Sequence, residues 1–239
     1  MVKKMIDYEI NYQVIGEGEE ILFIPGWNDS LTHFIDIALK LKDYKVILID
    51  LPNQGNSKPL HQKLEMNDYI NLINNFLTSN KFNPKIIIGH SFGGKLAFLY
   101  ALKYKVDKLI LVAPSLIKNK SLLTYFKIYK YKFIKLLKRT FNLKINLNKY
   151  GSKEYLAQSK YNKVNFIIAT NNYYNARLKE IDIPTLLYYG KNGGLLMAND
   201  KFNLDEELLK AIANKEKIMI YGDYDVDGFS ATSIMVKMF

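Results

Sequence analysis

The sequence predicts a doubly wound α/β fold, in which a mostly parallel sheet is covered by helices on both faces. Four apolar runs, at residues 21–24, 45–52, 86–88 and 106–112, each end at or within two residues of a proline or glycine. They are apolar on both faces, and helix-forming segments separate them, as the crossovers between parallel strands require. At 239 residues the chain can bury one substantial core, so one α/β domain is expected.

The N-terminal region predicts a hairpin followed by a helix and a strand. Residues 8–15 alternate as a strand does, and the turn at 16–18 leads into the strand at 21–24, so the two strands are expected to pair. A helix is expected from Trp27 to Leu41, with Asp29 or Ser30 as its N-terminal cap.

The segment KIIIGHSFGG at residues 85–94 has the order strand, sharp turn, helix. An amphipathic helix at 66–80 precedes it, and a second helix is expected from Lys95 to Leu102. Gly89 and Gly93 stand two positions on either side of Ser91, where small residues permit a strained backbone at the centre of the turn. We therefore expect Ser91 to project above the sheet.

Four ordered segments resemble the α/β-hydrolase fold superfamily over about residues 1–192. They are ILFIPGW at 21–27, DLPNQGNS at 50–57, GHSFGG at 89–94 and IPTLLYYG at 183–190. The resemblance implies a serine hydrolase of the carboxylic-ester type, with Ser91 as nucleophile and Gly89 and Gly93 forming the nucleophile elbow. It also implies that the backbone N–H groups of Trp27 and Phe92 hold the oxyanion, that the substrate is a small-molecule ester or acyl compound, and that no cofactor is needed.

Residues 116–162 lose strand character and lie where hydrolases resembling this chain insert a helical cap. No Asp or Glu lies between Asp107 and Glu154, so the cap concentrates the positive charge of a chain with a formal net charge of +11. Apolar residues recur beside the lysines at helical spacing: Leu122, Leu123, Phe126, Tyr129, Phe133, Leu136 and Leu137. Two interpretations are open. The cap is either a helix with an apolar underside and a solvated lysine face, or a cationic lid that attracts anionic or lipid-like substrates or sits on a membrane surface.

The residues that would complete a catalytic triad are missing from the expected places. The family places an acid shortly after the strand at 183–190 and a histidine after the final strand, but Gly193 stands where the acid belongs. The three histidines are His33, His61 and His90; the first two are expected at the surface, and His90 is expected to point away from Ser91. Without a nearby imidazole, Ser91 stays a weak nucleophile. Activity is therefore expected to be impaired or lost, and whether the chain is an enzyme stays open.

The C-terminal residues 202–239 resemble a second family. They predict a helix at 204–213, a strand at 217–221 and the turn GDYDVDG, which is similar to the first motif of DHH-superfamily phosphoesterases of the RecJ single-stranded-DNA exonuclease type. This resemblance implies manganese or magnesium at Asp223, Asp225 and Asp227. The later motifs of such a nuclease are absent from the sequence. A metal-dependent phosphoesterase fragment is thus a second functional hypothesis. The alternative interpretation of the same residues is a solvated acidic turn without a stable metal. Nucleic acid is not expected as a partner.

The expected organisation is a hydrolase-like core at 1–196, with its cap at 116–162, followed by a DHH-like βα segment at 197–239. The strand at 217–221 is expected to replace the final hydrolase strand, which would bring Asp223 to the carboxyl edge of the sheet. A natural fusion, a frameshift and an artefact all stay open as origins of the junction. A third functional hypothesis is a noncatalytic fold that binds an acyl or lipid-like ligand. The chain has no cysteine, a charged N-terminus and no apolar span of membrane length, so a cytoplasmic location is expected.

Overall fold

A twisted sheet forms the centre of the structure, a computed structural model that describes residues 8–116, 122–144, 147, 153–188 and 218–221. Within those residues the strands are β1 (Tyr12–Ile15), β2 (Glu19–Ile24), β3 (Tyr44–Ile49), β4 (Ile86–His90), β5 (Lys108–Val112), β6 (Thr185–Tyr188) and β7 (Ile218–Tyr221). Their spatial order is β1-β3-β2-β4-β5-β6-β7, and every neighbouring pair except β1 with β3 is parallel. The predicted fold class is confirmed.

Helices cover both faces of this sheet, and further helices form the cap. They are α1 (Ile35–Lys40), α2 (Met66–Ser79), α3 (Phe92–Ala101), α4 (Leu122–Thr140), α5 (Lys153–Leu156) and α6 (Lys160–Asn171). Successive strand residues point to opposite faces. In β2, Leu22 and Ile24 join the core under α2 and α3, whereas Ile21 and Phe23 join the core on the face of α1.

The strands β1 and β2 do not form the expected hairpin, because β3 lies between them. β1 pairs antiparallel with β3, and β2 pairs parallel with β3 and with β4. The turn between β1 and β2 passes directly over the start of β3: a Cβ atom at Gly16 or Gly18 would collide with the carbonyl oxygen of Tyr44 or Asp43, respectively. Both glycines have positive φ. The hairpin prediction was wrong because the two glycines allow the turn after β1 to pass over the start of β3 in direct contact with its backbone.

The segment between β2 and β3 is less regular than the predicted helix. A 3-10 turn at Leu31–Phe34 comes first and α1 follows it. Ser30 caps the turn, since its side-chain oxygen accepts a hydrogen bond from the Thr32 amide. Asp29, the other predicted cap, instead accepts from the Ser30 amide at 2.9 Å and is free to contact other side chains.

The C-terminal region contributes one described element to the sheet. β7 continues the sheet parallel to β6, with Ile218 opposite Thr185 and Tyr221 opposite Tyr188. Gly193, the predicted helix at 204–213 and the predicted metal ligands Asp223, Asp225 and Asp227 lie outside the described residues. The last cap helix, α6, continues to residue 171, beyond the predicted end of the cap at 162.

Candidate active site

Ser91 occupies the turn between β4 and α3 with φ 50° and ψ −110°. A residue with a side chain adopts such angles only where its surroundings impose them. Here the Ser91 amide donates to the Val112 carbonyl at 2.8 Å, and the Ser91 carbonyl accepts from the amides of Ser115 and Lys95 at 3.1 and 3.2 Å. The end of β5 and the first turn of α3 therefore fix the serine backbone on both sides.

The glycines beside Ser91 allow three backbone segments to meet. A Cβ atom at Gly89 would collide with the Gly93 carbonyl, and one at Gly93 would collide with the carbonyls of Ile24 and Pro25. The first turn of α3 thus rests directly on the end of β2. We name residues 89–93 the Ser91 turn; its two glycines are required by this close packing.

The loop after β2 brings Trp27 to the Ser91 turn. A Cβ atom at Gly26 would lie 3.4 Å from the Ser91 Cβ, so this loop passes close beside the serine. The indole ring of Trp27 packs edge-on against the ring of Phe92, with 5.3 Å between centroids. Among the described residues, neither the Trp27 amide nor the Phe92 amide donates a hydrogen bond. Two N–H groups without protein acceptors on the segments that flank a serine can bind a substrate oxygen.

Asp29 connects two of the three histidines to the site. Its carboxylate accepts from a ring nitrogen of His33, and His90 Nδ1 lies 3.3 Å from its other oxygen. Burial acts to raise the pKa of Asp29, but the hydrogen bonds from His90, His33 and the Ser30 amide outweigh it and lower that pKa to about 2. Asp29 is therefore an ionised hydrogen-bond acceptor at neutral pH.

The histidines are placed differently from one another. His90 is directed to Asp29 and to the ring of Phe34, with 6.5 Å between ring centroids. His33 and His61 are exposed. The pairing of His33 with Asp29 was missed by sequence reasoning, although a spacing of four residues is the signal for such a contact on a helical turn.

The cap rests on the loop that carries Trp27. From α6, the ring of Phe166 lies 5.6 Å from that of Trp27, and Tyr155 of α5 lies 6.3 Å from Phe166. The side-chain amide of Gln158 donates to the Asn28 side chain at 3.2 Å. The cap therefore contacts the Trp27 loop largely through aromatic side chains.

A buried lysine ties the Ser91 turn to the cap, and sequence reasoning missed it. Lys95 is fully buried in α3, and its ammonium group donates to the carbonyls of Ala169 and Asn172 at 2.5 and 2.8 Å. These carbonyls lie at the C-terminal end of α6, where the helix dipole favours a cation. No local pattern indicates this contact, because Lys95 stands 74 residues from Ala169.

A second buried polar group attaches the cap to the loop before α2. Asn165 is fully buried, accepts from the Leu64 amide at 2.9 Å and donates to the Gln62 carbonyl at 3.1 Å. Together with the Lys95 contacts, this fixes the position of α6 over the carboxyl edge of the sheet.

The DLPNQGNS segment serves a structural purpose through Asp50. The buried Asp50 carboxylate accepts from the Leu31 amide at 2.8 Å, the Asn11 side chain at 2.7 Å and the Asn56 amide at 2.8 Å. Gly55 has φ 51°, and a Cβ atom there would collide with this carboxylate. Asp50 therefore holds together three loops next to the site.

The described residues contain no group of three or more His, Asp, Glu or Cys side chains arranged to hold a metal ion. The three aspartates proposed as metal ligands are not among them, so metal binding there stays a prediction. No helix in the described part of the chain is long and apolar enough to cross a membrane.

Comparison with known proteins agrees with this arrangement. Over 108 residues the chain is 33% identical to the pimeloyl-[acyl-carrier protein] methyl ester esterase of Shewanella woodyi, and over 110 residues 30% identical to that of Shewanella oneidensis. These matches cover 44% and 45% of this chain and 40% of each relative, so the chain spans about two fifths of the length of these curated relatives.

The solved esterase EaEST from Exiguobacterium antarcticum superposes on this chain with a TM-score of 0.61. The superposition covers 96% of this chain and 95% of the esterase at 16% sequence identity, so the two share a fold. The profile of the alpha/beta hydrolase fold family matches residues 20–142, which include all but the first residue of β2, the strands β3 to β5 and the Ser91 turn. As that match covers just over half of the chain, and the sheet order and serine turn agree with it, this chain belongs to the alpha/beta hydrolase fold family.

Proposed function

We propose that this chain is a serine hydrolase of the carboxylic-ester type, with Ser91 as its nucleophile and with impaired catalysis. The observation that carries the proposal is the backbone of Ser91, which is held at φ 50° and ψ −110° beside the loop of Trp27. Strain of this kind is retained where the position of a side chain matters. The esterase names of the Shewanella relatives support an ester as the substrate class.

In the proposed reaction the Ser91 oxygen attacks the carbonyl carbon of an ester while its proton passes to water. The bond to the alcohol then breaks, the alcohol leaves with a proton, and a water molecule hydrolyses the acyl-Ser91 ester to release the acid and restore the hydroxyl. In each attack the carbonyl oxygen gains negative charge, and the amides of Trp27 and Phe92 stabilise it. Because neither amide donates to a described residue, neither must give up a protein hydrogen bond to do so. The Phe92 amide belongs to the first turn of α3, where the helix dipole adds positive potential.

The impairment is inferred because, within the described part of the chain, no side chain accepts a hydrogen bond from the Ser91 hydroxyl. Asp29 holds the Nδ1 side of His90, and an Asp29 carboxylate with a pKa of about 2 is itself a weak base. The sequence has no histidine after His90. Loss of the triad histidine costs roughly 10⁶-fold in kcat in a serine protease, while the oxyanion donors retain a rate of about 10³- to 10⁴-fold over water. We expect a residual rate of that order.

The proposed substrate is a small ester or acyl group that packs against the aromatic side chains beside Ser91. Trp27 contacts Phe92 on one side and Phe166 on the other, and Tyr69 packs edge-on against Phe92 at 5.3 Å. These rings favour an apolar acyl chain. The same surface supports the third hypothesis, acyl binding without catalysis, and the experiment below separates the two.

Hydrolysis of p-nitrophenyl butyrate by the full chain tests the proposal. We expect slow turnover above the buffer rate that Ser91→Ala abolishes and Ser79→Ala retains, because Ser79 is an exposed serine at the end of α2. Turnover that survives in Ser91→Ala would contradict the assignment of the nucleophile. A wild-type rate equal to that of buffer would instead favour acyl binding without catalysis.

The impairment has its own test. Added imidazole is expected to raise the Ser91-dependent rate by roughly 10-fold or more, because it supplies the missing proton acceptor. The Ser91→Ala variant measures the direct reaction of imidazole with the ester, which is subtracted. A kcat above about 1 s⁻¹ without imidazole, within the ordinary enzyme range, would show that catalysis is not impaired.

The other sequence-based hypotheses stay predictions. Manganese- or magnesium-dependent phosphoester cleavage by Asp223, Asp225 and Asp227 would appear as cleavage of single-stranded DNA that Asp225→Ala removes. The division at residues 196 and 197, the origin of the junction and the cytoplasmic location are likewise predictions from the sequence.

A further inference from the structure

The outer face of α4 carries large apolar side chains in contact with solvent. Phe126, Tyr129, Phe133 and Leu136 are 68%, 66%, 60% and 59% exposed. Their spacing of three, four and three residues places them along one side of the helix, over a length of about 15 Å. Isolated exposed apolar residues are ordinary, but a continuous apolar strip of this size marks an interaction surface.

This face is not the side of α4 that packs on the protein. The half-buried residues of α4 include Tyr131, Ile134 and Leu137, and Tyr131 packs edge-on against Tyr155 of α5 at 5.9 Å. The apolar residues of α4 thus lie on two sides, one toward α5 and one toward solvent. A cap helix that needed only an apolar underside would have a polar outer side.

Basic residues surround the exposed strip. Lys130, Lys132, Lys135 and Arg139 are exposed on α4, and no acidic residue occurs between Asp107 and Glu154. At 100° per residue, Lys130 and Lys132 project to opposite flanks of the strip. Lysine side chains beside an apolar strip can extend their ammonium groups to phosphate oxygens while the rings and aliphatic groups enter the acyl boundary.

We propose that the outer face of α4 docks on the surface of an anionic lipid bilayer. The occupant is assigned from charge complementarity: every described charged group on α4 is cationic, and aromatic side chains beside cations are suited to the interface of such a bilayer. The helix lies in the plane of the surface and does not span it. This inference concerns where the protein acts and does not depend on hydrolysis by Ser91.

Sedimentation of the full chain with vesicles tests the proposal. We expect the chain to bind vesicles with 30% phosphatidylglycerol at least about 10-fold more tightly than pure phosphatidylcholine, and to lose most of that binding at high salt. The double variant Phe126→Ser with Phe133→Ser is expected to weaken binding to anionic vesicles at least about 10-fold. The matched control is Leu39→Ser, which changes a residue of α1 that is 55% exposed, and it should bind as wild type does.

The charge contribution is tested in the same way. The double variant Lys132→Glu with Lys135→Glu is expected to remove the preference for anionic lipid. The control is Lys105→Glu with Lys179→Glu, which makes the same charge change at two exposed lysines outside the cap and should retain more of that preference. All these side chains are exposed, so circular dichroism and the thermal midpoint should match wild type.

Three results would overturn the proposal. The first is equal binding to neutral and anionic vesicles, or equal loss of binding in the Leu39→Ser control. The second is a dimer that dissociates when Phe126 and Phe133 are changed, which would assign the face to a second copy of the chain. The third is binding to polyglutamate without binding to vesicles, which would indicate an acidic protein partner.

Discussion

The ring of Trp27 packs edge-on against the ring of Phe92 at 5.3 Å, so the two residues proposed to bind the oxyanion also contact each other through their side chains. Phe166 of α6 contacts Trp27 from the cap at 5.6 Å. Since Trp27 is the single tryptophan of the chain, its fluorescence reports directly on this site.

An acyl ligand beside these rings should quench the fluorescence of Trp27. Titration with a bromine-labelled octanoate is expected to reduce the emission saturably, and Phe166→Ala should weaken that binding by roughly 5- to 10-fold, because a ring in contact with Trp27 is removed. Val164→Ala is the control, as Val164 is an exposed residue of the same helix. Equal affinities in the two variants would exclude Phe166 from the acyl site.

Ser91→Gly should stabilise the protein while abolishing its activity. Glycine adopts φ 50° at lower cost than serine, so the free energy of unfolding should rise by about 1 kcal/mol relative to Ser91→Ala, which keeps the strain. Urea unfolding of the two variants measures the difference. A lower stability for Ser91→Gly than for Ser91→Ala would mean that the backbone of Ser91 is not strained in solution.

Gly93→Ala should be strongly destabilising. The new methyl group would collide with the carbonyls of Ile24 and Pro25, and backbone atoms cannot rotate away as side chains do. We expect a loss of about 3 kcal/mol or more in the free energy of unfolding. Unfolding in urea would measure it, with Ser79→Ala as the control. A loss below about 1 kcal/mol would show that α3 can move away from β2 at little cost.

Lys95→Met should loosen the cap. The change leaves the carbonyls of Ala169 and Asn172 without the ammonium donor and is expected to cost about 1 to 3 kcal/mol. Trypsin should then cleave faster after the lysines of α4 than in wild type. The control is Lys103→Met, which removes an exposed lysine of the same region that donates to Asn71. Unchanged cleavage in Lys95→Met would show that other contacts hold α6.

Acid stability should depend on Asp29. Its pKa is lowered from 3.8 to about 2 on folding, so the folded state binds this proton less readily than the unfolded chain does. The resulting stabilisation, about 2 kcal/mol, is fully present above pH 4 and is lost as the pH falls from 4 toward 2.

The Asp29→Asn variant should therefore lose less stability than wild type over that pH interval, when the free energy of unfolding is measured in urea at each pH. Asp36→Asn, at an exposed position of α1, should behave as wild type. Parallel pH profiles for Asp29→Asn and wild type would contradict the lowered pKa.

Local patterns predicted most of the sheet and the Ser91 turn, because apolar strands and glycine spacing are patterns of residues that are close together in the sequence. The prediction of a hairpin was wrong for the same reason. Adjacency in sequence suggested that β1 pairs with β2, whereas the glycines at 16 and 18 allow β3 to lie between these two strands. The contacts of Lys95 with α6 and of Asp29 with His90 join residues 74 and 61 positions apart, and no local periodicity encodes such pairs.

A continuous series of ring contacts links the outer cap helix to the core. It runs from Tyr131 to Tyr155, Phe166, Trp27, Phe92 and Tyr69, with neighbouring centroids 5.3 to 6.3 Å apart. Segments that share such contacts tend to open together. In hydrogen exchange, amides of α6 and of the Ser91 turn should therefore exchange as one cooperative unit, so the cap would be part of the folding unit that forms the active site.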